Sequence, residues 1–319
     1  MKRHSNLYER ICSLENLQLA DSIARKGKLK QPGVLEHDKN KDANIIALNE
    51  SLKARTYRTS QYTIFTIHEP KKREIYRLPY YPDRIVHHAI MNVLEPLFVS
   101  TFTADTYSCI KKRGIHAAAY AVKRALQDKM ATQYCLKLDV RKFYPNIDHD
   151  VLRQLIRRKI KDNDLLWLLD EIIDSAPGLP IGNYLSQYFA NFYLTYFDHW
   201  IKEVKKVKYY FRYADDMVIL IGNKPELHQL LSDMRIYLKE NLKLEIKKTY
   251  QVFPVDERGI DFVGYVFYHT HILLRKSIKQ NFARMLIKNK KPASIASYKG
   301  WAMHCNSKNL LKTLLHERI

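Results

Sequence analysis

Cysteine is scarce in this 319-residue chain: Cys12, Cys109, Cys135 and Cys305 stand far apart, with no CxxC pair among them. That spacing argues against a disulfide framework and against a structural zinc site, so the four read as reduced, mostly buried thiols. Also missing is any run of about 18 or more apolar residues, the length needed to span a bilayer. The polar opening Met1–Glu9 has no secretory-signal character, and a cytoplasmic chain with no membrane partner is expected. No repeat, low-complexity tract or Pro/Gly/Ser-rich linker divides the sequence, which points to one interlocked unit. Acidic residues are the other shortage, with 33 Asp+Glu against 54 Lys+Arg and a net charge of +21. Such a field favours a polyanionic partner, nucleic acid ahead of anionic membrane. The 46% apolar content suffices for one sizeable core or two to three small subdomains.

The patterning predicts a mixed α+β chain. Asn6–Lys28 reads as helix, Tyr57–Arg77 as β-like, and Asp83–Phe98 and Ile115–Lys129 as helices. Tyr134–Val140 is a short apolar strand that delivers Asp139 at its C-terminal end. Asp148 is placed to cap a helix running through Lys159. After the turn Gly178–Gly182 comes a long helix on which Phe189, Phe192, Tyr193, Tyr196, Phe197 and Trp200 form a core-facing stripe. Tyr209–Tyr213 and Met217–Ile221 flank Asp215-Asp216 as a hairpin. Pro225–Leu242 reads as a surface helix, and Val252–Phe267 as strands turning at Gly259 and Gly264. The tail from Thr270 is expected to be helical; it carries eleven Lys+Arg and a single acid, Glu317.

Three carboxylates, one closing a strand and two at a hairpin tip, are costly unless a cation meets them. Hard oxygen donors suit Mg²⁺, and two such ions can support in-line phosphoryl transfer. An Asp-Asp turn alone is usually solvated turn chemistry; Asp139 upstream makes the set informative.

The motifs resemble a known family. Phe211–Asp216 (FRYADD) resembles the YxDD box of reverse transcriptases, and Leu138–Ile147 (LDVRKFYPNI) their first catalytic-aspartate box. Lys71–Pro79, Asp83–His88 and Ser108–Ala118 resemble the fingers blocks, and Lys243–Thr249 and Phe262–Phe267 the blocks that close the palm. The likeness runs over roughly residues 55–270. It implies a right-hand polymerase fold: an N-terminal helical segment and fingers in 1–132, a palm with an antiparallel sheet in 133–269 (including fingers/palm helices in 150–205), and a short basic helical thumb in 270–319. It implies RNA-directed DNA synthesis from deoxynucleoside triphosphates, with template RNA and a cDNA or primer as partners. Two Mg²⁺ ions, for which Mn²⁺ can substitute, fall to Asp139, Asp215, Asp216 and the Val140 carbonyl. The nucleotide falls to Lys71, Arg73, Tyr144, Ile181, Gly182, Gln187 and Lys248, with Tyr144 crowding a ribose 2′-hydroxyl and Lys248 near the pyrophosphate. Template and primer contacts are expected from Arg113, Lys299 and Trp301. For Tyr144 the alternative is core packing, for Lys71 a solvated charge run, and for Lys248 its neighbour Lys247.

One stretch departs from the common pattern. Leu179–Gln187 (LPIGNYLSQ) has Ile181 where reverse transcriptases commonly place Gln, and Gln187 in place of a proline. This form is similar to the enzymes of diversity-generating retroelements, within the bacterial group II intron and retron-like superfamily. That resemblance implies misincorporation opposite template adenine and a small basic oligomeric accessory protein. Ile181 cannot hydrogen-bond near the nascent pair, although an apolar wall can still discriminate by shape. A retron or antiphage-defence enzyme of ordinary fidelity, and an inactive RNA-binding scaffold, remain the alternatives.

Overall fold

The computed structural model of the chain describes residues 3–68, 72–288 and 291–315. The chain forms two compact units, each drawn from three stretches: 1–102, 142–196 and 239–244 in the first, and 103–141, 197–238 and 245–319 in the second. Because the chain passes back and forth between units, no linker composition marks a boundary.

The first unit is mostly helical. The expected opening helix breaks at Ser13, whose backbone is extended (φ −57°, ψ 141°) and whose hydroxyl accepts from the Asn16 N–H at 3.2 Å. Serine is a good cap and a poor helix interior, so Tyr8–Cys12 ends there and Leu14–Ala24 begins. Helices Pro32–Asp38 and Lys41–Lys53 follow. Strands β1 (Thr63–Ile67) and β2 (Arg73–Arg77) pair antiparallel, with Ile67 opposite Arg73; both are largely exposed. Helix Ile85–Thr101 supplies the core, burying Ile85, Ile90, Leu94 and Phe98. The Phe98 ring lies 5.0 Å from that of Phe192 and 6.4 Å from that of Phe189. Asp148 caps helix His149–Arg157 as expected, accepting from the Val151 N–H at 3.0 Å. Asp162 caps a further helix, Asn163–Ile173. The aromatic helix is shorter than its stripe implies: Tyr184–Tyr193 ends at Leu194, and Thr195–His199 starts afresh.

The second unit is built on an antiparallel sheet ordered β4-β5-β3-β6. Its strands are β3 (Tyr134–Asp139), β4 (Tyr209–Tyr213), β5 (Asp216–Ile221) and β6 (Gln251–Pro254). Leu136 and Leu138 lie opposite Ile219 and Met217, all four buried. Helix Ile115–Ala125 packs Ala118 and Val122 into the same core as Val218 and Leu220. A three-stranded sheet follows, of β7 (Ile260–Phe262), β8 (Tyr265–Phe267) and β9 (Ile272–Leu274). The tail therefore opens on a strand and not on a helix: Ile272 and Leu274 are buried while Leu273 is 41% exposed, a period of two. Helices Lys276–Lys288, Pro292–Ala302 and Lys308–Leu315 complete it. Gly264, at φ +91°, is required at its turn, because a Cβ there would lie 2.3 Å from the Trp301 ring. Cys12 and Cys135 are buried free thiols, whereas Cys109 is exposed. Among the described residues, no helix is long and apolar enough to cross a membrane.

Candidate active site

Strand pairing brings the acidic residues of the second unit together. Asp139 closes β3 directly opposite Asp216, the first residue of β5. Asp215 occupies the turn between β4 and β5, where Ala214 takes a left-handed backbone at φ 55°. A one-residue slip would turn one carboxylate to the other face of the sheet, so the apolar ladder behind these residues fixes their convergence.

A buried ion pair holds the turn from below. Arg212 and Asp198 are fully buried, and the Arg212 Nε donates to Asp198 Oδ1 at 2.8 Å. The Tyr210 hydroxyl donates to the same oxygen at 2.6 Å, and the Thr106 hydroxyl donates to Oδ2 at 3.1 Å. The Arg212 guanidinium also donates to the Ala214 carbonyl at 3.0 Å, one residue before Asp215. The tip of the hairpin is thereby tied to a satisfied polar network, the form in which buried charge is tolerated.

The electrostatics above the tip are unsettled. Burial raises the Asp215 carboxyl to about 7, with Asp139 adding to the rise through a hydrogen bond and its charge, and Lys247 opposing it. Burial likewise raises Asp216 to about 6, where Lys137 opposes and Asp139 adds. The Lys247 ammonium donates to Asp139 Oδ2, and the Lys137 ammonium lies 3.8 Å from Asp216 Oδ2. The remaining oxygens, Asp139 Oδ1 and Asp216 Oδ1, are buried without a hydrogen-bond partner among the described residues. Orphaned anionic oxygens on facing strand ends are unfavourable in a bare protein and well suited to a hard divalent cation. Among the described residues no three His, Cys, Asp or Glu side chains form a finished metal cage. Magnesium needs only one or two protein carboxylates beside substrate phosphates, and this donor set meets that need. The Val140–Ile246 bridge uses the Asp139 carbonyl and the Arg141 N–H; the Val140 carbonyl takes no part in it.

The other expected site residues are placed as follows. In the second unit, Lys248 is exposed, and Lys247 is the lysine that meets Asp139. The Arg113 guanidinium donates to the Thr103 carbonyl at 2.7 Å and the Thr106 carbonyl at 3.4 Å, holding a loop. Trp301 packs against Tyr265 at 5.4 Å and His116 at 5.9 Å; Lys299 lies on the same helix, half-buried. In the first unit, Arg73 is exposed at the start of β2 and Gln187 is exposed on its helix. Tyr144 is half-buried, with its carbonyl accepting from the Leu179 N–H at 2.8 Å. The Ile181 carbonyl accepts from the Tyr76 N–H at 2.8 Å, and Gly182 sits at φ +125°, where a Cβ would come within 2.6 Å of the Tyr76 carbonyl. Lys71 lies outside the described residues. Lys137 and Arg212 were not singled out from sequence, and Lys247 entered only as the alternative to Lys248. Lys137 could have been, since it shares a strand face with Asp139 two residues away; nothing local marks Asp198 as the partner of Arg212.

The family described as "Reverse transcriptase (RNA-dependent DNA polymerase)" matches residues 69–267. Protein YkfC of Escherichia coli (strain K12) is 24% identical over 254 residues, covering 66% of this chain and 65% of that protein. The group II intron-encoded protein LtrA of Lactococcus lactis subsp. cremoris is 21% identical over 268 residues, covering 61% of this chain and 44% of that protein. The chain thus spans less than two thirds of either relative. Among solved structures, telomerase from Candida albicans in complex with a TWJ fragment of telomeric RNA superposes with a TM-score of 0.52 at 10% identity, covering 83% of this chain and 58% of that one. Apo telomerase from Candida tropicalis gives 0.51 at 11% identity, covering 72% and 53%. These likenesses establish the fold: mixed helix and antiparallel sheet of the right-hand polymerase type.

Proposed function

The chain belongs to the reverse transcriptase family, and on that premise we propose that it is an RNA-directed DNA polymerase acting through Asp139, Asp215 and Asp216. One observation carries the reading: two facing strand-end carboxylates each hold a buried oxygen with no partner among the described residues, and a third acid with a raised pKa adjoins them. Asp139 and Asp216, with Asp215 and the Val140 carbonyl beside them, would hold Mg²⁺, or Mn²⁺ in its place. Two such ions, when bound, supply charge stabilisation for nucleotidyl transfer. The residues of the chain do the rest. Arg212 and Asp198 hold the turn that presents Asp215. Lys247, in place of Lys248, meets Asp139 and is suited to face the pyrophosphate. Lys137 balances Asp216 while the site awaits substrate.

The finer reading is an error-prone enzyme of a diversity-generating retroelement, resting on Ile181 and Gln187. It carries with it a template RNA, a cDNA or primer, a cytoplasmic setting and a small basic oligomeric accessory protein. Tyr144 is assigned to sugar discrimination, Lys71 and Arg73 to the triphosphate, Gly182 to close backbone approach, and Lys299, Trp301 and the loop held by Arg113 to template and primer. Fingers, palm and thumb follow as 1–132, 133–269 and 270–319, with β9 extending palm-like pairing to Leu274. Primer extension on a defined RNA template with Mg²⁺, followed by cDNA sequencing, tests the proposal beside Asp215→Asn/Asp216→Asn. Synthesis by wild type alone, with errors concentrated opposite adenine and reduced in Ile181→Gln, is the expected result. Accurate cDNA would leave the polymerase and move the chain to the retron or defence reading. No synthesis, even with native RNA and the accessory protein, would leave an RNA-binding scaffold.

A further inference from the structure

Lys137 is a cation on β3, an interior strand of the four-stranded sheet. It lies opposite Val218 on β5 and Gln251 on β6. Cys135, two residues before it on the same face, is fully buried. An ammonium so placed is costly unless acceptors meet it, and two do. Its Nζ lies 3.8 Å from Asp216 Oδ2, and it donates to the Asp261 carbonyl. Asp261 belongs to β7, the edge of the three-stranded sheet. This one side chain therefore ties the sheet that carries the acids to the sheet that follows it.

The tether continues beyond β7. Asp261 Oδ1 accepts from Arg275 Nε at 2.6 Å. The Arg275 N–H donates to the Gly264 carbonyl at 3.0 Å, and the Arg275 carbonyl accepts from the Lys279 N–H at 3.1 Å. Arg275 thus stands at the head of helix Lys276–Lys288 and fixes Asp261 from there. At the acidic end, two lysines act alike. Lys247 takes Asp139 Oδ2 and Lys137 faces Asp216 Oδ2. Both Oδ1 atoms are left without a hydrogen-bond partner among the described residues. Each acid therefore keeps one oxygen against a resident ammonium and one free for a metal. Because the Asp261 carbonyl anchors Lys137, a divalent ion arriving at Asp216 shares that carboxylate with a cation held in place. Like charges on one carboxylate oppose each other.

We propose that Lys137 is a positioning residue, a tethered internal cation that orients Asp216 in the metal-free protein and holds down the affinity of the seat for a divalent ion, with Asp261 and Arg275 as its tether. The inference rests on the reading of Asp216 as a metal ligand. A seat weakened in this way fills chiefly when substrate phosphates bring further oxygens, so metal and nucleotide arrive together.

The test follows free Mn²⁺ by electron paramagnetic resonance as the full chain is titrated at pH 8, without nucleotide or RNA. Lys137→Gln should bind Mn²⁺ about fivefold more tightly than wild type, the scale of a partly screened charge contact. Lys137→Arg, which keeps the charge, should stay close to wild type. In EDTA, Lys137→Gln should melt below wild type, because the Asp261 carbonyl and the Asp216 charge lose a partner, and Mn²⁺ should narrow that gap. A variant that merely damages the fold would bind metal more weakly, so tighter binding in a less stable protein separates positioning from support. Arg275→Gln frees the Asp261 carboxylate to draw Lys137 off Asp216, and should tighten Mn²⁺ binding by a smaller factor. The same gain in a Lys137→Gln background would strike Arg275 from the tether. Unchanged or weaker Mn²⁺ binding by Lys137→Gln would overturn the proposal. Asp216→Asn tests the reading beneath it. If that variant binds Mn²⁺ as wild type does, the metal-seat reading fails. If it loses Mn²⁺ while Lys137→Gln gains none, that reading stands and the role of Lys137 falls.

Discussion

Replacing Asp215 with Asn removes a proton-binding group held at about 7 in the folded chain, against an ordinary value of 3.8. Between those two values the folded chain keeps a proton that the unfolded chain has released. Stability of the metal-free protein therefore falls as pH rises from about 4 through 7. The full shift corresponds to a ceiling of about 4 kcal/mol at 1.36 kcal/mol per pKa unit. Asp215 is only half-buried and shares its shift with Asp139, so a cost of ~1–2 kcal/mol at pH 8 is the working figure. Urea melts in EDTA measure it. Asp215→Asn should exceed wild type by that amount at pH 8 and lose its advantage near pH 4. Saturating Mg²⁺, at 100 times its dissociation constant, should then stabilise wild type by about 3 kcal/mol and the variant by less. A variant less stable than wild type in EDTA at pH 8 would refute the reasoning and make Asp215 a structural carboxylate.

Three further outcomes are expected. Arg212→Gln leaves Asp198 charged and fully buried, and should cost ~3–5 kcal/mol in denaturant melts, whereas Arg212→Met/Asp198→Leu should cost less; an equal loss in both would reject the pairing argument. Gly264→Ala combines φ +91° with a Cβ 2.3 Å from the Trp301 ring, so a loss of ~1–3 kcal/mol and a shift in tryptophan emission should appear together; a stability loss with unchanged emission would place the strain elsewhere. Tyr144→Ala should lower discrimination against ribonucleoside triphosphates by about tenfold or more in single-nucleotide extension, and an unchanged ratio would return Tyr144 to packing.

What could be read in advance was local. The β4–turn–β5 hairpin, the acid closing β3, the Asp148 cap and the turns at Gly259 and Gly264 each rest on a few adjacent residues whose geometry their chemistry dictates. Partner choice was less accessible. Lys247 and Lys248 differ by one position, and only the pairing of Asp139 with Lys247 decides between them. Arg212 in an apolar strand gave no hint of Asp198 fourteen residues upstream. Ser13 could have been read as a cap, but the apolar period continues across it and masked the break. The strand Ile272–Leu274 was hidden in a tail dominated by positive charge, because three residues of alternation are too few to stand out.

The strand order β4-β5-β3-β6 places β3 between two partners that both follow it in the chain. Asp139 precedes its partner Asp216 by 77 residues, the difference of their positions. At roughly 5–20 residues per second of synthesis, β3 waits about 4–15 s with both edges open. During that interval it is an apolar strand with unpaired N–H and carbonyl groups on either side, the form most prone to pair with the wrong neighbour. Soluble yield should then depend on translation speed between residues 140 and 216, and on holding chaperones, more than on the strength of the finished sheet.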